Sequence, residues 1–218
     1  TPGDFRRQYQ YLQSHYDSII SIHLPHEMSG TYQSAISASK RVNDSSITVV
    51  DGLSASVGLG LIVMRAAALV KDGRNHNEIE ESLSEIITST DIFIVVRDLS
   101  YVVKGGRLPG WVKTIADFLH IQPIMTTKDN GSMGLASVIR ETADLPEKMS
   151  KFILGKMDAD KFYNVSIGHS NILADGEKLK EMIQKGHHNL NSIYLMDIGC
   201  ALGVHAGPGS LAVAIQPV

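Results

Sequence analysis

Residues 17–35 read DSIISIHLPHEMSGTYQSA, and the fold turns on where that run divides. Ile19, Ile20, Ile22 and Leu24 form a short, β-branched apolar run of strand length, closed by Pro25. From Ser29 onward the pattern is helical, so Ser29-Gly30-Thr31 falls at a strand-to-helix junction. The plain role of Ser29 there is an N-cap, worth about 1 kcal/mol. The alternative is anion binding. In α/β sheets, helix N-termini at the carboxyl ends of strands present N–H groups to ligands. Gly30 lets a ligand approach the backbone, and Ser29 and Thr31 add hydroxyl donors.

Outward from this junction, strands and helices alternate. Residues 5–16 have helical spacing, with Asp4 as the expected N-cap, and the helix after Ser29 is expected to run to Asn43. Residues 46–52, SITVVDG, read as a strand opening into an Ala-rich helix over residues 54–70. KDGRNHN at 71–77 is polar and outside any apolar period, which makes it the expected linker. Beyond it, Ile79, Leu83, Ile86 and Ile87 mark an amphipathic helix, and DIFIVV at 91–96 a strand. A helix is expected over 111–119, then two strands turning at Asn130-Gly131, a typical hairpin pair. Helices at 145–157 and 175–186 flank the strand FYNVSIGH, and apolar strands at 191–199 and 211–217 complete the pattern. This is an α/β arrangement in two halves, each with its own strands.

With 218 residues, the chain suits one large or two small domains. The net charge of −3 carries no long like-charge block, so nothing marks a nucleic-acid surface. The longest apolar stretch, residues 53–70, is interrupted by Arg65 and several Gly and Ser residues, and is too polar for a membrane span. One cysteine, Cys200, leaves no internal disulfide framework and fits a reducing cytoplasm. No signal peptide is visible. The chain opens TPGDF without methionine, so the encoded protein is expected to start upstream.

HAGPG at 205–209 places His205 on what reads as a constrained loop, where it could donate to an anion. The KGGR turn at 104–107 and Arg140 at a strand end are further anion partners, although each taken singly is more often a solvated charge. Enzyme motifs fail. IGHSN has Ile172 where a nucleophile elbow needs glycine, and GLGLIVM lacks the third glycine of a dinucleotide fingerprint. His187 and His188 are adjacent and so cannot share a helix face as metal ligands. These residues favour binding an anion over turning it over.

SIHLPHEMSGTYQSA followed by VVDGLSASVGLGL resembles the DegV family of bacterial fatty-acid-binding proteins. The resemblance continues in order through YVVKGGRLPGWVKTIADFLHIQPIM, VIRETAD and GVHAGPGSLAVAI. It implies a two-lobed α/β architecture, each lobe a mostly parallel sheet flanked by helices. Residues 1–73 would be the remainder of the N-terminal lobe, and residues 74–218 a C-terminal lobe holding an apolar lipid tunnel. It implies further that a long-chain fatty acid is held without a cofactor and presented to a fatty acid kinase. By the same implication, the kinase would phosphorylate the carboxylate and the acyl phosphate would feed phospholipid synthesis.

By the same resemblance, the carboxylate-holding serine falls on Ser29, with Gly30 and Thr31 beside it. His205 and Arg140 match the family residues near the carboxylate that serve presentation and phosphoryl transfer. Family members also carry a first strand and a carboxylate-contacting threonine, which the resemblance places ahead of residue 1. The expected protein is a cytoplasmic carrier and not an enzyme, with no metal, no nucleic acid and no membrane span, and at most transient membrane contact. Tail lining is expected from the helix at 111–119 and the strand at 121–125. The competing expectation is an ester hydrolase or acyl transferase using Ser29 with His205.

Overall fold

The computed structural model describes residues 1–42, 46–140 and 144–218. In chain order the first half holds α1 (Pro2–Gln13), β1 (Ile19–His23), α2 (Thr31–Val42), β2 (Ile47–Asp51), α3 (Ser56–Lys71) and α4 (His76–Thr88). There follow β3 (Asp91–Val95), α5 (Ser100–Lys104), α6 (Gly110–Leu119), β4 (Ile121–Thr127), β5 (Met133–Arg140) and α7 (Leu145–Leu154). The chain continues through β6 (Tyr163–His169), α8 (Leu173–Gly186), β7 (Leu190–Asp197), α9 (Cys200–Ala206) and β8 (Leu211–Pro217).

The α/β class holds, with sheets flanked by helices. β1 and β2 pair in parallel as a two-stranded sheet, and the other strands form a six-stranded sheet in the order β5-β4-β3-β8-β6-β7. The expectation of mostly parallel sheets fails for the larger one. There β6 and β7, joined by the α8 crossover, run parallel, while β3–β4, β4–β5, β3–β8 and β6–β8 are antiparallel. An apolar run reads the same in either direction, and β8 enters between β3 and β6 from the far end of the sequence. The hairpin does form where Asn130-Gly131 predicts it: Gly131 takes φ +80° and its N–H donates to the Lys128 carbonyl at 2.7 Å.

Alternation along β8 shows how the sheet is covered. Leu211, Val213 and Ile215 face a core built with Met149 and Ile153 of α7 and Leu179 and Ile183 of α8. Ala212 and Ala214 face the other way, and their small side chains let α3 approach with Val57 and Leu61. The same helix uses Ile62 and Ala66 against Ile79 and Leu83 of α4, with Ile20, Ile22 and Val50 of the small sheet alongside. α3 thus buries two faces, through Val57 and Leu61 on one side and Ile62 and Ala66 on the other, while Val63, Met64 and Val70 are exposed.

Some boundaries move for local reasons. α1 starts at Pro2 because Thr1 and Asp4 form a capping box, so Asp4 is the third helical residue and not the cap. The expected linker shrinks to a turn at residues 72–75, since Asn75 caps α4 through Glu78. The expected end of α2 at Asn43, and Glu141, Thr142 and Ala143 of the VIRETAD segment, lie outside the described residues.

Candidate functional site

The loop after β1 is fastened to the loop after β2 by one carboxylate. Asp51, at the end of β2, accepts from the His26 backbone N–H at 3.1 Å and from the Leu53 N–H at 3.1 Å, and its Oδ2 lies 2.6 Å from His26 Nδ1. That contact holds the His26 imidazole above its ordinary pKa. The loop then turns, with the Met28 and Ser29 N–H groups both donating to the Pro25 carbonyl at 3.0 Å. The Gly30 carbonyl accepts the first helical bond, from Ser34 N–H at 2.9 Å, so Gly30 occupies the cap position and Ser29 precedes it. Ser29 Oγ accepts from the Thr31 N–H at 3.3 Å and lies 2.8 Å from Thr31 Oγ1.

Ser29 and Thr31 line a cavity of about 290 Å³. Its wall is mostly apolar, with Ile94 of β3, Val96 just after that strand, and Ala201 and Leu202 of α9. The polar groups on it are few: Ser29, Thr31, Ser56, Arg107 and His205. A carboxylate in such a place must be hydrogen-bonded or paired, and hydroxyls, guanidinium and imidazole are suitable donors.

His205 reaches this cavity by a different route from the expected one. It lies in the last turn of α9 and not on a loop. The constrained part begins after it, at Gly207, with φ +70°, where a Cβ would come within 2.5 Å of the Tyr101 ring. The His205 ring lies against Gly105, where an added Cβ would overlap Nδ1. That nitrogen is buried without a hydrogen-bond partner among the described residues.

Arg107 stood out in the sequence only as part of the KGGR turn. In the fold its Nε donates to the Met28 carbonyl at 3.3 Å and Nη1 donates to the Gly105 carbonyl, which places the guanidinium beside the Ser29 loop. Gly30 and Arg140 lie off the cavity wall. Gly30 has open space around it, and Arg140 is exposed at the end of β5, opposite Ile121. The fold thus brings Ser29, Thr31 and His205 together and adds Arg107, while Arg140 faces outward.

A second cavity, about 410 Å³, lies between α6 and the β4–β5 hairpin. Trp111, Val112 and Ile115 of α6 face Ile121 and Pro123 of β4 across it, and among the described residues Lys128 is its one charged lining residue. It shares Met125 and Met133 with the first cavity. Among the described residues no group of three His, Cys, Asp or Glu is placed to hold a metal, and no helix is long and apolar enough to cross a membrane.

Over residues 1–218 the sequence matches the pattern of the DegV family, described as uncharacterised proteins. It is 29% identical over 213 residues to a DegV domain-containing protein of Staphylococcus aureus (strain COL), covering 98% of this chain and 75% of that one. In fold it is similar to a DegV family protein of Thermus thermophilus described for fatty acid binding. The TM-score is 0.91 at 24% identity, over 100% of this chain and 77% of the other. A Thermotoga maritima protein, said to reveal fatty acid binding function, superposes with TM-score 0.85 at 25% identity, over 100% of this chain and 76% of that one. By its sequence along the whole length, this chain belongs to the DegV family.

Proposed function

We propose that this protein is a carrier that binds one long-chain fatty acid, with its carboxylate at Ser29 and Thr31 and its tail in the apolar cavities. The observation that carries the reading is the convergence of Ser29, Thr31, Arg107 and His205 on one cavity, apolar elsewhere but for Ser56, that adjoins a second, largely apolar one. The fatty-acid-binding relatives support it. Each buried methylene contributes about 0.8 kcal/mol, so the tail supplies most of the affinity and the polar groups fix its orientation. The tail lies against α6 and β4.

The carrier works in the cytoplasm and presents the acid to a fatty acid kinase. There a carboxylate oxygen attacks the terminal phosphorus of ATP, giving acyl phosphate and ADP, and the product feeds phospholipid synthesis. Arg107 and His205 stand beside the carboxylate to meet the added charge. Arg140, exposed on the edge strand β5, suits the partner-facing surface. Trp111, Ile115, Phe118 and Leu119 form an exposed apolar stripe on α6, suited to transient contact with a membrane from which the acid is drawn.

Hydrolysis by Ser29 with His205 is the weaker reading. A serine nucleophile needs a base within hydrogen-bond reach, and the Ser29 hydroxyl is engaged with that of Thr31. Titration of hexadecanoate into wild type and Ser29→Ala tests the carrier reading. Loss of a hydrogen bond to a charged group predicts about 10- to 100-fold weaker binding. Equal affinities, or ester turnover that disappears with Ser29→Ala, would overturn it.

A further inference from the structure

The two cavities meet at a single pair of side chains. Among the described residues on either wall, Met125 and Met133 are the ones common to both. On the β4–β5 ladder Met125 stands opposite Leu135 and Met133 opposite Thr127. The two methionines are therefore diagonal neighbours on one face of the sheet, close enough for long side chains to touch. A register irregularity falls between Ile124 and Met125. The extra residue is Ala136 of β5, and successive side chains of β4 keep alternating between the two faces. Here Ile124 joins the core beneath α7 and α8, while Met125 joins the cluster with Val96, Val102 and Ala116 on the side of α5 and α6.

The sizes give this pair a consequence. At about 290 Å³ the cavity that holds the polar groups sits at the bottom of the range for ligand pockets, about 300–1,000 Å³. A long acyl chain anchored there must leave it, and the adjoining apolar space lies behind the methionines. Met is unbranched with three rotatable bonds, so its thioether can move aside without backbone change. Leu or Ile at these positions would make a stiffer wall.

Resting on the carrier reading above, we propose that Met125 and Met133 form a movable partition that sets which acids the site accepts. A short acid is held in front of it, in the cavity of Ser29 and His205. A long acid displaces both thioethers and extends toward α6. Selectivity for chain length is then a property of this pair more than of the groups that hold the carboxylate.

The test is calorimetric titration of octanoate, dodecanoate, hexadecanoate and eicosanoate into wild type, Met133→Phe and Met125→Ala, with thermal melts to establish folding. Met133 is the site for the bulky residue because it is only half-buried, whereas Met125 is 3% exposed. Each methylene admitted contributes about fourfold in affinity. If Met133→Phe denies about four of them, the preference for hexadecanoate over octanoate falls by about two-hundredfold. Met125→Ala shifts preference the other way, toward eicosanoate.

A folded Met133→Phe protein with the wild-type length profile would overturn the partition, and an unchanged profile in Met125→Ala would do so even if the Phe variant did not fold. Wild type that binds none of the acids would defeat the carrier reading and the partition with it. That outcome is distinct because it is seen before any variant is compared.

Discussion

Ser29 Oγ lies 2.8 Å from Thr31 Oγ1 and accepts from the Thr31 backbone N–H at 3.3 Å. The two hydroxyls are thus oriented before any ligand arrives, and little ordering remains when a carboxylate binds. Thr31→Val keeps the β-branched shape, removes one donor and leaves Ser29 less constrained. We expect hexadecanoate affinity to fall by about 2- to 10-fold, the worth of one ordinary hydrogen bond, and Thr31→Ser to restore it. A Val variant that binds as wild type, with weakening only in the Ser variant, would show that Thr31 acts through packing alone.

Gly105 offers a way to move His205 without altering it. Its backbone is helical, φ −69°, so alanine meets no conformational penalty, but the added methyl would overlap the imidazole Nδ1. Gly105→Ala is expected to displace the ring and lower acid affinity about tenfold, as for loss of a charge-assisted bond. A protein that melts as wild type and binds as wild type would mean that His205 does not contact the carboxylate.

His23 at the end of β1 and His26 in the loop after it act with opposite signs on stability. Burial lowers the pKa of His23, partly offset by the Asp51 charge. Its folded form prefers to be neutral, so the unfolded chain binds the extra proton and stability falls as pH drops from about 6.5 through the lowered value. His26 is shifted upward by its hydrogen bond to Asp51. Its contribution is fully present below about pH 6.5 and is lost as pH rises through the raised value. Thermal melts should therefore show the His26→Gln penalty largest in acid and shrinking toward pH 8, while His23→Gln loses less stability than wild type on acidification. Reversed pH trends would contradict the assignment.

Much of this was legible in the residues, for reasons that differ by element. The Ser29 junction could be read because a β-branched run, a proline and a helical pattern follow one another within residues 19–35. The hairpin was carried by Asn130-Gly131, where one residue type satisfies the positive φ. The helix bearing His205 left no such mark. It has seven residues, and Gly199 before it makes no side-chain cap, so neither length nor cap betrays it. Arg107 looked like any solvated charge because its partner, the Met28 carbonyl, is 79 residues away in sequence. Strand direction in the large sheet was hidden for a similar reason, since it depends on where β8 inserts and not on its composition.

The exposed stripe on α6 predicts behaviour at a lipid surface. Trp111 is the one tryptophan in the chain, 65% exposed, so the indole fluorescence reports α6, where Trp111 also borders the second cavity. Mixing with phosphatidylcholine–phosphatidylglycerol vesicles should shift its emission to the blue. Phe118 is 82% exposed, and Phe118→Asp should slow transfer of a fluorescent fatty acid from vesicles while leaving stability within about 0.5 kcal/mol. Unchanged emission together with unchanged transfer would remove the membrane from the account.

The central claim is that this protein carries a fatty acid with its carboxylate at Ser29. Native mass spectrometry of the protein purified from lipid-replete bacteria, paired with lipid extraction, tests it most directly. The account predicts a one-to-one complex with a long-chain fatty acid, strongly depleted in Ser29→Ala protein prepared in parallel. A wild-type protein that emerges without lipid, or a Ser29→Ala protein as fully loaded as wild type, would contradict it.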